Sequence, residues 1–278
     1  MPINFFRHIN TPNDALITRI SPPESLRDFV EGFYLYKTQG LHGRQLFFND
    51  GYPVITLMQH PAGKMLININ GDIINIGNAW VCGGMLKNIY CESSISTEEF
   101  FVIRFNPITF FKLFNIRENV FKHKPVFDLV EIVADDFSAL NNHFYSNAAI
   151  EHKVEVVTNF LSQRICAIAF PNLLGDLIHH IEQGRSLSVR ELTKKCGVRI
   201  NYKWLERNFK KHIGVSPKDY LLRRRFLNTY RSLDSLSSNA LLQIALEHGY
   251  YDDNHLIKDF RSFSGQPPKA FFQNSNRT

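Results

Sequence analysis

An internal repeat in the last third of the chain limits what that part can fold into more than any other feature. At an offset of 51 residues, Leu205 matches Leu256, Phe209 matches Phe260, Gly214 matches Gly265 and Pro217 matches Pro268. Upstream, Leu192 and Gly197 match Ile244 and Gly249 at an offset of 52, so the first copy has one extra residue in its turn. Each copy reads as a short helix, a Gly turn, a capped second helix and a Gly-x-x-Pro exit.

In the first copy, Val189 to Lys195 reads as a helix, Gly197 ends it in the left-handed conformation, and Asn201 caps YKWLERNFKKH. A helix advances about 100° per residue, so Leu205 and Phe209 share an inward face. Lys203, Glu206, Arg207, Lys210 and Lys211 are left largely on the outside. In the second copy, Ala240 to His248 forms the first helix, Gly249 turns the chain, and Asp252 caps DNHLIKDFRSF. Leu256 and Phe260 face inward there, leaving Asp253, Asn254, Ile257, Lys258 and Arg261 outside. Two helices joined by a tight Gly turn, the second polar and basic on its outer face, make a helix-turn-helix able to seat that second helix in a major groove.

Between the copies, Ser216 as cap, Pro217 at the first position and Asp219 near the positive helix end start a helix running to about Leu233. Its roughly 16 residues would span about 24 Å. Such a strut is compatible with both second helices entering major grooves roughly 34 Å apart on one duplex face. Charge agrees with a polyanionic partner. Residues 183–231 carry 14 Lys and Arg against Glu191, Glu206 and Asp219, whereas 232–278 carry 4 against 5 acidic residues. One block therefore dominates the field, and the nearly neutral second unit gains little from phosphates.

The chain has 278 residues, enough for about two domains at roughly 150 residues each. From about 33 to 105 it reads as short extended runs (GFYLYKT, RQLFFND, PVITLMQ, MLININ, IINIGNAWVCGG, EFFVIRF) broken by Gly, Asn, Asp and Pro, as in a sandwich or small barrel. SPPESLRDFVEGFY before it suits a short amphipathic helix or an irregular lead-in. At Asn106-Pro107 the pattern turns helical, with Asn106 as the cap of ITFFKLFNI. Over 148–168, Ile150, Val154, Val157, Leu161, Ile165 and Ile168 recur at helical spacing. That stripe has two readings: packing on the β region of the same chain, or a helix–helix dimer seam. Pro171 ends this helix, and Asn172 caps the next.

These readings combine into an α+β multidomain protein. Residues 1–115 form a β-rich sandwich or barrel-like domain and 116–170 a helical extension. Residues 172–278 form an all-α domain of two helix-turn-helix units, 187–213 and 239–264, joined by a linker helix. Cys82, Cys91, Cys166 and Cys196 show no C-x-x-C spacing, MPINFFRHIN has no signal-peptide pattern, and no apolar run approaches a membrane span. A soluble protein in a reducing cytoplasm, without membrane contact, is expected.

LTKKCGV, NYKWLERNFKKHIGVSPKDY and IALEHGYYDDNHLIKDFRSFSGQPPKAFF resemble the two helix-turn-helix units of AraC-type transcription regulators. Ala245, Gly249, Tyr250, Asp252, Asn254, Leu256, Lys258, Phe260, Arg261, Gly265 and Pro268 fill the places of that family's signature. The resemblance covers 172–278, with a vaguer similarity to a cupin-like sensory domain before it. It implies a sequence-specific regulator of transcription that binds double-stranded DNA at promoters and acts on RNA polymerase. A small-molecule effector and a homodimer are further expectations. Base-reading roles carry over to Lys203, Glu206 and Arg207 in the first unit and to Asn254, His255, Ile257 and Lys258 in the second. Lys203 and Arg207 suit guanine, Asn254 adenine and Glu206 cytosine N4, whereas Ile257 offers only contact with a thymine methyl. Glu206 equally suits an ion pair with Lys210. Arg225 stands where the family has a structural Arg, so an internal ion pair is expected for it, and Arg223 or Arg224 is left to reach a phosphate. Phe209, Phe260, Trp204 and Tyr220 follow the inward stripe and read as core.

An effector cavity would be lined by Tyr52, Met58, His60, Trp80 and Arg104 on the expected strands. The rival class is a cupin-like metal enzyme. His42, His60, His143, His152 and the His179-His180 pair form no metal-ligand spacing, and no nucleophile elbow, P-loop or G-x-G-x-x-G occurs. No catalytic residue, metal ligand or cofactor is assigned. A regulator controlled by a partner protein or by its own level, with the β domain serving only oligomerisation, is the remaining alternative.

Overall fold

A computed structural model describes residues 3, 5–9, 16–37, 43–58, 65–69, 71–93, 99–116, 120–134, 137–146, 149–165, 172–183, 190–191, 201–235 and 241–275. After a short helix α1 (Phe5–His8), the strands form two antiparallel sheets. The larger runs β1 (Ile17–Ile20), β2 (Val30–Lys37), β9 (Glu99–Phe105), β4 (Val54–Met58), β7 (Ala79–Cys82) and β10 (Val126–Asp128) in spatial order. The smaller runs β3 (Gly43–Leu46), β8 (Ile89–Ser93), β5 (Met65–Ile69) and β6 (Asp72–Ile76).

Successive side chains on a strand point to opposite faces. β9 thus sends Phe100 and Val102 between the sheets and Phe101, Ile103 and Phe105 to the outer face, and β2 divides Tyr34 from Phe33 and Leu35 in the same way. The outer face is covered by α2 (Phe110–Leu113), α3 (Val120–His123), α4 (Val130–Val133), α5 (Phe137–Phe144) and α6 (Ile150–Ser162), which contribute Phe110, Phe121, Val133, Phe144 and Leu161 to that layer. Burial on both faces explains why PVITLMQ and EFFVIRF are mainly apolar rather than alternating, with Thr56 and Arg104 the buried polar exceptions. Each large side chain so buried stabilises the fold by about 1.5–3 kcal/mol relative to exposure.

Several local expectations need correction. The β region does not stop at 115, because β10 pairs with β7, Phe127 opposite Val81. β1 and β8 lie in segments whose mixed composition hides them, and IINIGNAWVCGG is two strands parted at Gly77-Asn78. SPPESLRDFVEGFY forms only a 3-10 turn at Glu24–Leu26 before β2. Asn106 is not a side-chain cap: its Nδ2 donates to the carbonyls of Arg27 and Asp28, and α2 starts at Phe110. The 148–168 stripe is shorter than expected, ending with α6 at Ser162, and it packs within the chain. Val157 and Leu161 are fully buried, with Ile150, Val154 and Ile165 partly so, in the layer outside the larger sheet. Ile168 lies outside the described residues.

The C-terminal region contains α7 (Asn172–Gln183), α8 (Tyr202–Ile213), α9 (Pro217–Ser235), α10 (Leu241–Glu247), α11 (Asp253–Ser264) and α12 (Pro268–Ser275). Leu205, Phe209, Ile213, Val215 and Tyr220 bury against Leu174, Leu177, Ile178 and Ile181 of α7. The second unit's core of Ile244, Ala245, Leu256, Phe260 and Phe263 is continuous with the sandwich interior. Phe48 makes the join, its ring 5.2 Å from Phe226 and 6.1 Å from Phe263, which themselves stack at 4.3 Å.

Candidate nucleic-acid interface

The repeat folds as one device used twice. Asn201 and Asp252 are both extended N-caps, accepting from the backbone N–H of Trp204 at 2.9 Å and of His255 at 2.7 Å. α8 and α11 then run 12 residues each and end at Gly214 (φ 77°) and Gly265 (φ 72°) in the left-handed region. Every one of these positions is offset by 51. Gly249 (φ 76°) makes the turn between α10 and α11. The matching turn before α8, one residue longer and containing Arg199 and Ile200, lies outside the described residues, as does the Val189–Lys195 helix apart from helical Arg190 and Glu191.

Lys203, Arg207, Lys210 and Lys211 are exposed on α8, and Asn254, His255, Lys258 and Arg261 on α11, with Glu206 and Ile257 half-buried. The inward positions Leu205, Phe209, Leu256, Phe260 and Tyr220 are fully buried, and Trp204 partly. Glu206 accepts from Lys210 at 2.8 Å, one helical turn on, and this bond raises the Lys210 ammonium pKa. The outward charge of α8 is therefore carried by Lys203, Arg207 and Lys211, with Lys210 shared.

α9, 19 residues and about 28 Å long at 1.5 Å per residue, ties the units together. Ser216 caps it, accepting from the N–H of Asp219 at 3.1 Å. Arg225 pairs with Asp259 of α11 at 2.5 Å and lies 4.4 Å over the Tyr250 ring. That is the internal ion pair expected of it, and it removes one of the acidic charges near α11. Arg223 and Arg224 correct the expectation of a phosphate contact. Arg223 is 2% exposed and donates to the carbonyl of Gly84 in the β domain at 2.7 Å, while Arg224 pairs with Glu182 of α7 at 3.3 Å.

The expected cavity residues divide into two places. Met58 and Trp80 point between the sheets beside Thr56, which faces Trp80 across β4 and β7. Tyr52 and Arg104 stand instead where the β domain meets the C-terminal helices. The Tyr52 hydroxyl donates to Glu182 at 3.1 Å, and Tyr220 donates to the other oxygen of the same carboxylate at 2.8 Å. Burial, then the Glu182 charge, pushes the Tyr52 hydroxyl pKa up. Arg104 lies 3.9 Å over the Tyr52 ring and pairs with Asp50 at 2.5 Å and Glu31 at 3.5 Å. His60 lies outside the described residues. Among those residues no group of His, Cys, Asp and Glu could hold a metal, and no helix is long and apolar enough to cross a membrane.

Sequence reasoning passed over two exposed aromatics beside the N-caps, Tyr251 (85% exposed) and Tyr202 (45%). The signal was present: Tyr250 fills the inward position before Asp252, so a second aromatic next to it has no core to enter.

Residues 197–274 match a family model described as a helix-turn-helix domain. Two curated relatives, the HTH-type transcriptional activators RhaS of Pectobacterium carotovorum and Pectobacterium atrosepticum, are each 38% identical over 66 residues, 24% of this chain and 23% of theirs. The chain thus matches about a quarter of their length. Among solved structures, ToxT of Vibrio cholerae aligns over 92% of this chain and 96% of its own, with 13% identity and a TM-score of 0.44. The C-terminal domain of the response regulator YesN from Fusobacterium nucleatum aligns over 36% and 98%, with 24% identity and a TM-score of 0.33. Over residues 197–274 the chain is thus similar to the helix-turn-helix domain family.

Proposed function

We propose that the protein is a sequence-specific DNA-binding regulator of transcription that places α8 and α11 in successive major grooves of one duplex. The observation that carries this reading is the pair of identically capped 12-residue helices, 51 residues apart, each presenting its polar face outward while α9 holds them together. Lys203, Arg207 and Lys211 supply phosphate and guanine contacts in the first unit; Asn254, His255, Ile257, Lys258 and Arg261 read the second half-site. Tyr202 and Tyr251 flank the helix starts, where backbone contacts concentrate. The β domain, joined to both α9 and α11, acts as the regulatory part through an effector, self-association or both.

Selection of binding sites from random or genomic DNA at near-physiological salt tests this. The expected result is a bipartite motif with halves about one helical turn, roughly 10 bp, apart. Recovery of only generic, salt-sensitive binding would refute sequence-specific recognition by the two units.

A further inference from the structure

Both capped helices of the repeat are held at their C-terminal ends by the β domain. The last four carbonyls of a helix have no partner within it. At the end of α11, two of them find partners on the segment that leads from β7 into β8: the backbone N–H of Asn88 donates to the Phe263 carbonyl at 2.6 Å, and the Tyr90 hydroxyl donates to the Ser264 carbonyl. Asn88 stands at φ 52°, in the left-handed region, and Lys87 lies 5.3 Å over the Phe263 ring. At the end of α8 the contact is apolar. Phe111 of α2 faces Gly214, where a Cβ would lie 2.3 Å from its ring, and Ile108 packs on the core of the first unit. Gly214 and Gly265 are the C-caps related by the repeat, so the β domain meets the same point of both units.

α9 alone does not fix the tilt of one unit against the other. Tyr220, in its first half, belongs to the buried cluster of the first unit, whereas Phe226, Leu227 and Tyr230 belong to that of the second. Long helices bend gently along such a span. The grip of the β domain also leaves the outward surfaces clear, since Lys203, Arg207, Asn254 and Lys258 are exposed. It is therefore a brace rather than a plug. We propose that Asn88, Tyr90 and Phe111 are positioning residues that fix α8 relative to α11 and so set the half-site spacing the protein accepts. The spacing rests on the regulator reading: one base pair more or fewer moves a half-site by about 3.4 Å and turns it by about 34°.

Two measurements on the full chain test this. The first needs no DNA, so its failure is distinct from that of site selection. Double electron–electron resonance reads the distance between nitroxides at Arg207→Cys and Lys258→Cys, which share the offset of 51. Cys82 and Cys91 are buried, and Cys166→Ser and Cys196→Ser remove the other two thiols. A narrow distribution is expected, broadened by Tyr90→Phe and by Asn88→Ala, which disfavours the left-handed backbone. Asn88→Gly keeps that backbone and the N–H and should leave the distribution narrow. The second measurement inserts or deletes one base pair between the halves of the selected duplex. Wild-type binding should weaken about tenfold or more, and that of Tyr90→Phe or Asn88→Ala about threefold or less. A merely structural defect would lower affinity equally at every spacing. A broad distribution in the wild-type chain, one unchanged in both variants, or equal spacing discrimination in all proteins would overturn the proposal. If selection yields no motif, the distances alone decide the brace.

Discussion

Gly214→Ala should destabilise the chain more than Gly265→Ala, although both glycines end equivalent helices. The backbone cost is shared: φ is 77° at Gly214 and 72° at Gly265, and a left-handed non-glycine residue costs about 1–2 kcal/mol. The neighbours differ. A Cβ on Gly214 would lie 2.3 Å from Cζ of Phe111, with two more ring atoms at 3.0 and 3.1 Å. Phe111 is 3% exposed and wedged against Phe110 and Phe121, so its ring cannot swing aside, and such overpacking adds about 1–3 kcal/mol. A Cβ on Gly265 would meet Oδ1 of Asn88 at 2.3 Å, the far end of a side chain that can rotate. The expected losses are thus about 2–5 kcal/mol for Gly214→Ala and about 1–2 kcal/mol for Gly265→Ala. Urea denaturation followed by tryptophan fluorescence reads both. The chain has two tryptophans, Trp80 in the sandwich and Trp204 on α8, so Trp80→Phe and Trp204→Phe backgrounds follow each domain separately. Adding Phe111→Leu should recover part of the Gly214→Ala loss. Equal losses for the two glycines, or strict additivity of Gly214→Ala with Phe111→Leu, would refute the steric argument.

Other outcomes follow from the same geometry. Arg207→Ala should weaken DNA binding more than Lys258→Ala and lower the salt slope by about one, because the positive field belongs to the first unit; an equal or larger loss for Lys258→Ala sinks that ordering. Arg225→Met and Asp259→Asn should each cost about 1–3 kcal/mol and be non-additive in a double-mutant cycle, since their ion pair is only about a fifth exposed on either side; additive losses would show that the pair contributes nothing. Burial first, and for His212 also the Lys211 and Lys112 charges, lowers the His212 and His248 pKa values from the ordinary 6.5. The unfolded chain therefore takes up protons before the folded one. Stability present above pH 6.5 should fall as pH drops through and below that value, and His212→Asn should flatten the profile; denaturation midpoints unchanged between about pH 7.5 and 5.5 contradict this.

The central strands of the larger sheet, β2, β4, β7 and β9, are legible in the sequence because burial on both faces demands runs such as EFFVIRF, and β3, β5 and β6 of the smaller sheet are legible from the turn residues that bound them. β8 is not, since a strand of IYCES has little apolar signature and takes its place only by pairing with β3 and β5. β10 is likewise three residues recruited by β7. For the candidate site, the outward positions on α8 and α11 were legible because caps, left-handed glycines and the inward Leu and Phe act within a dozen residues, and those fix which face remains. Glu206 suits a base contact or an ion pair on sequence grounds, and in the structure it accepts from Lys210 at 2.8 Å.

The sequence by itself determined the two units, their caps and the helix between them, all consequences of local backbone chemistry and a 3.6-residue period. Only the tertiary structure decided what Arg223, Arg224 and Arg225 do. Three identical side chains in a row leave a helix about 100° apart, and nothing local ranks their directions. One meets Gly84, 139 residues away; the next meets Glu182; the third meets Asp259. Tyr52 and Arg104 turned from cavity candidates into parts of the joint for the same reason: their partners come from segments brought together only by folding.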